Sequence, residues 1–134
     1  MSSESQVMAG ILFLSLVAVE SGGAFMLRVV RGRQPATELQ RSFFRAGHAH
    51  AGMFVTLALV SQLFVDATDL SGGFAWVARS GIAIAAILMP AAFFLSALGR
   101  DATEPNRLVV LLPVGAAFLA VGAATLGVGL LAAA

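Results

Sequence analysis

Four apolar stretches, each long enough to cross a bilayer, fill most of this chain and leave only short polar connections between them. They run from about Val7 to Val30, Phe43 to Val65, Trp76 to Leu98 and Leu108 to Leu131. A hydrocarbon core of ~30 Å needs ~20 helical residues, and each stretch is near or above that length. Backbone groups find no water in lipid, so only helices or closed barrels can span it. Four segments cannot close a barrel, whose strands would be ~10 residues long and alternating in character. Short connections make sequence neighbours antiparallel. The expected fold is all-α: one transmembrane domain over residues 1–134, an up-down-up-down four-helix bundle with both termini outside.

The four spans take up most of the 134 residues and leave no room for a soluble appendage, and charged residues make up only 11% of the chain. Cysteine is absent, which excludes disulfides, thiolate metal sites and cysteine nucleophiles. The net charge of +1 does not point to nucleic acid, because the basic residues flank the spans. No basic segment precedes the first span, and its apolar run continues past Ser21-Gly22-Gly23-Ala24 to Val30. It therefore reads as a retained span and not as a cleaved signal.

All eight basic residues are arginine. Arg28, Arg31, Arg33, Arg41 and Arg45 surround the first connection, and Arg100 and Arg107 the third. In an antiparallel bundle these seven share one side, and the other holds Arg79 alone with Glu4, Asp66 and Asp69. That asymmetry predicts a bacterial plasma-membrane protein with its arginine-rich loops in the cytoplasm. Trp76 falls where an interfacial anchor belongs.

Small residues and prolines shape the spans. Gly115, Gly122 and Gly129 recur every seven residues, so they line one stripe of span four. Such a stripe lets another helix approach closely, either within the bundle or from a homodimer or membrane-protein partner. Pro90 predicts a kink in span three, and Pro113 a bend where span four begins. Asn106 is placed to cap span four.

Few polar residues sit inside the spans. Glu20 lies near the middle of span one, roughly 12 Å from the arginine boundary at Arg28. An ionised carboxylate there must face the bundle, pair or stay protonated, so Glu20 is the prime candidate for proton or substrate binding. His48 and His50 lie just inside span two, and their spacing turns them ~200° apart. One regular helix cannot chelate a metal through both. His48 shares a stripe with Gly52, Gln62 and Asp66 and is expected to face the bundle, while His50 packs elsewhere. Thr56 and Gln62 complete the candidate polar set, with Ser61 beside them.

The stretch Gln40-Arg41-Ser42-Phe43-Phe44-Arg45-Ala46-Gly47-His48-Ala49-His50-Ala51-Gly52 resembles small four-span membrane proteins of actinobacterial type, a resemblance that carries no activity with it. Four short spans with one acid in the first are similar in architecture to small multidrug resistance transporters. There the corresponding acid exchanges protons for cationic drugs at a dimer interface, which implies that role for Glu20. That family's aromatic cage has no counterpart here, since tyrosine is absent. The His-x-His in an apolar helix resembles haem-bearing membrane oxidase subunits. This implies haem or a divalent metal at His48 or His50, with the further histidine supplied by another subunit.

Three functions follow as expectations. The first is proton-coupled transport of a small solute or ion through Glu20, assisted by His48. The second is a non-enzymatic partner subunit or structural membrane protein packing through the span-four glycine stripe. The third is haem or metal binding through His48 and His50. The serines are scattered and no catalytic triad assembles, so enzyme chemistry is not favoured.

Overall fold

The computed structural model describes all 134 residues and contains helices without strands. Helix α1 spans Ser3–Val30, α2 Glu38–Val65, α3 Gly72–Ser96 and α4 Leu111–Ala132, with a 3-10 turn at Arg107–Val110 leading into α4. All four are long and apolar enough to cross a membrane.

The helices extend beyond the apolar spans where capping chemistry allows. Ser2 accepts from the Ser5 backbone N–H, so α1 begins before the apolar run. Thr37 and Gln40 form a reciprocal capping box, which starts α2 a turn or more before Phe43. Asn106 does cap, but it caps the 3-10 turn, accepting from the Leu108 N–H at 2.9 Å. The α ladder forms only around Pro113, which has no N–H to give the preceding turn. Pro90 is accommodated within α3 and is buried.

Helix α1 packs on α2, α2 on α3 and α3 on α4. The centre of the molecule is α3: half of its most apolar window (50%) is buried, against 11% in α1 and in α4. The largest core cluster joins Leu12 of α1, Phe54, Val55 and Ala58 of α2, and Ile82, Ala83 and Ala86 of α3. An aromatic layer lies towards the arginine-rich end. Phe44 stacks on Phe94 at 5.6 Å and meets Phe25 edge-on at 5.3 Å.

The glycine stripe of α4 is filled by α3 and by Leu70 of the connection that precedes it. A Cβ added to Gly115 would come within 2.5 Å of Met89, and one added to Gly129 within 2.6 Å of Leu70. At the middle crossing glycine faces glycine, and a Cβ on Gly81 would reach 2.7 Å from the Gly122 Cα. Backbone meets backbone there, and no side chain can yield. The stripe that the sequence offers to a neighbouring helix or to a partner is thus occupied within the chain.

Gly122→Val should therefore cost about 1–3 kcal/mol, the usual range for overpacking a tight contact. Gly127→Val, where an added Cβ meets nothing within 4 Å, should change stability little. Thermal unfolding of both variants in detergent checks the pair, and equal losses would contradict this packing.

Candidate functional site

The most developed polar site lies where α1 begins, α2 ends and α3 enters its second turn. Arg79 is 7% exposed, and its Nη2 lies 3.0 Å from Asp66 Oδ1 in the one ion pair of the chain. Its Nε donates to Ser5 Oγ at 3.1 Å and its Nη2 also to Ser2 Oγ at 3.2 Å. Asp66 accepts from the Ser2 N–H at 2.6 Å, the Ser2 hydroxyl at 2.9 Å and the Ser5 hydroxyl at 2.9 Å. The guanidinium also sits 5.8 Å from the Trp76 ring centroid, a cation–π distance. Three segments far apart in sequence are tied at one point.

Gln62 extends this clasp inward. It is fully buried, and its Nε2 donates to Arg79 O at 2.9 Å and Ala58 O at 3.0 Å. The two carbonyls fix the amide's orientation, because the opposite one would set oxygen against oxygen. Ser61 is buried beside it and donates to Ala58 O. Gln62 thus belongs to the α2–α3 seam.

Burial pushes the Asp66 carboxyl up, but the Ser2 N–H, the Ser5 and Ser2 hydroxyls and Arg79 outweigh it. The result is a pKa lowered from 3.8 to about 2. A depressed carboxylate contributes stability that is present above its unfolded pKa and lost as pH falls through the folded one.

The other predicted residues do not gather into one site. His48 faces α1, its imidazole resting on a notch made by two glycines. A Cβ on Gly22 would lie 3.3 Å from His48 Nδ1, and one on Gly23 3.5 Å from Nε2. His50 faces α3, with its ring 5.0 Å from Phe93 and 5.3 Å from Phe54. Its Nδ1 donates to the Ala46 carbonyl at 2.7 Å, which leaves Nε2 as its acceptor or ligand atom. No group of three or more His, Asp or Glu side chains comes together in metal-binding range.

Glu20 is exposed on the outer face of α1 and makes no ion pair with either histidine. Its neighbour Val19 is the residue that meets Gly52 of α2. One step turns the helix 100°, so Glu20 stands off the α1–α2 seam. It shares a stripe with Phe13, Val17 and Leu27, which are 62%, 68% and 47% exposed. Thr56 is also exposed and bonds back to Gly52 O.

Sequence reasoning missed the clasp. In the sequence Arg79 reads only as a topological charge, and nothing marks Ser2 or Ser5 as its partners. One signal was available: Arg79 is the sole cation on its side and lies within an apolar span, where an arginine needs a partner. Comparison with protein-family models, curated proteins and solved structures finds no match.

Asp66→Asn should cost about 1.5–3 kcal/mol, the range for bonds to charged groups. It should also flatten the loss of stability that the native chain shows as pH falls from about 4 to 2. Thermal unfolding in detergent across that range checks this, and parallel acid limbs for the two proteins would contradict it.

Proposed function

We propose that this chain is a non-enzymatic subunit of a membrane assembly that docks through the outer face of α1, with Glu20 as the group its partner must satisfy. Glu20 carries this reading. It lies near the middle of a helix that would cross the bilayer, and it points away from the rest of the chain. A carboxylate left in lipid costs about 2.5–3.5 kcal/mol on insertion scales. A hydrogen-bond donor or cation on a neighbouring transmembrane helix, from a second copy or a different subunit, would remove that penalty. With α4's glycine stripe filled within the chain, α1, as little buried as α4, is the helix that carries a carboxylate inside its apolar span.

The topology in this reading is up-down-up-down in a bacterial plasma membrane, with both termini outside. The bonds that Ser2 and Ser5 donate to Asp66 and accept from Arg79 support antiparallel neighbours. The seven arginines at the opposite end support cytoplasmic loops there.

Proton-coupled transport of a small solute or ion is the second reading, and the same carboxyl favours it. At a seam between subunits, Glu20 would be the polar group that a solute or ion crossing there meets. Haem or metal binding at His48 or His50 would need further ligands from a partner.

The absence of cysteine makes the test direct. In native membranes Val17→Cys should form disulfide-linked or partner-linked complexes, and Val128→Cys, exposed on α4, should not. Glu20→Leu should abolish the Val17→Cys links, while Glu20→Gln should keep them. Proton flux lost in Glu20→Gln with links intact would select the transport reading. A Val17→Cys chain that stays unlinked would refute docking through α1.

A further inference from the structure

We propose that the groove between the end of α1 and the start of α2 binds the headgroup phosphate of an anionic phospholipid. The groove has a volume of about 330 Å³. Arg41, Ser42 and Arg45 of α2 line one side, and Met26, Val29 and Val30 of α1 the other.

Arg41 and Arg45 are four apart, so both guanidinium groups project from one stripe of α2. Neither is paired, since the one ion pair of the chain is at Arg79 and Asp66. Glu38 also borders the groove but forms no ion pair with Arg41, so the site keeps a positive excess. A phosphodiester presents two oxygens that match guanidinium forks. The Ser42 hydroxyl is a further donor beside them.

The opposite wall decides the class of ligand. Met26 and Val29 are buried, and Val30 is 72% exposed along the groove's edge. Free phosphate would satisfy the arginines and leave this wall bare. A phospholipid satisfies both, with its phosphate on the arginines and the first acyl carbons along the exposed Val30. Such a groove goes beyond what orientation requires. Orientation would be served equally by Arg100 and Arg107, which do not line this groove. The proposal does not depend on how Glu20 is satisfied.

The test is native mass spectrometry of the full chain in neutral detergent, with phosphatidylglycerol or phosphatidylcholine added. The native chain should retain phosphatidylglycerol at about thirtyfold lower concentration than phosphatidylcholine, as two interfacial arginines acting together would give. Arg41→Gln with Arg45→Gln should erase that preference, and Arg100→Gln with Arg107→Gln should keep it. Val30→Trp, which fills the groove and leaves every arginine in place, should also erase it and decides the matter if the first double variant does not fold. Equal loss in the two double variants would mean diffuse attraction and overturn the site. So would the absence of any preference in the native chain, or a preference unchanged by Val30→Trp. Inorganic phosphate alone stabilising the protein as much as the lipid would reassign the groove to a free anion.

Discussion

The Arg79–Asp66 pair, with Ser2 and Ser5, ties the start of α1 to the end of α2 and to α3. Helix α3 is enclosed by α2 and α4, but α1 rests mainly on α2. Its links to α3 are Leu12 in the main core cluster, Met26 and Val29 in the cluster that holds Phe94 and Ala97, and the bonds that Arg79 donates to Ser2 and Ser5. A buried arginine is costly, and here the cost is offset because Ser5, Ser2 and Asp66 all accept from it. Gln62 fixes the backbone of Arg79 from below, so the guanidinium is held at both ends. Loss of the clasp would free the start of α1 while leaving the α3–α4 packing intact.

This division explains the distribution of the polar groups. One end of the molecule is closed by the network around Arg79 and Asp66. The other is bounded by arginines without carboxylate partners and by a layer of phenylalanines that fixes how α1, α2 and α3 meet. Between them Glu20 stands on the least enclosed helix. A carboxyl left in lipid at that position costs about 2.5–3.5 kcal/mol, and the proposed assembly rests on that cost.

Much of the fold was legible because it rests on local signals. Mean hydropathy marks the four spans, and seven-residue spacing marks the stripe of Gly115, Gly122 and Gly129. The divergence of His48 and His50 follows from their 200° separation. Which neighbour each meets does not, because it depends on the glycine notch at Gly22 and Gly23 and on Phe93, in other helices. The clasp was illegible for the same reason. Its members come from residues 2, 5, 66 and 79, and no periodicity links them. Gln62 looked like part of a polar stripe with His48, yet the two face different helices. The outward position of Glu20 becomes evident only once Val19 is known to meet Gly52.

The most direct test of the central claim is the oxygen accessibility of spin labels along α1 in native membranes, with labels at Val17 and Ala24 on either side of Glu20. If α1 docks through this face, both labels should be shielded, and a label at Val128 on α4 should be as accessible as free lipid chains. Full accessibility at Val17 and Ala24 would mean that Glu20 faces lipid alone, and would contradict the account.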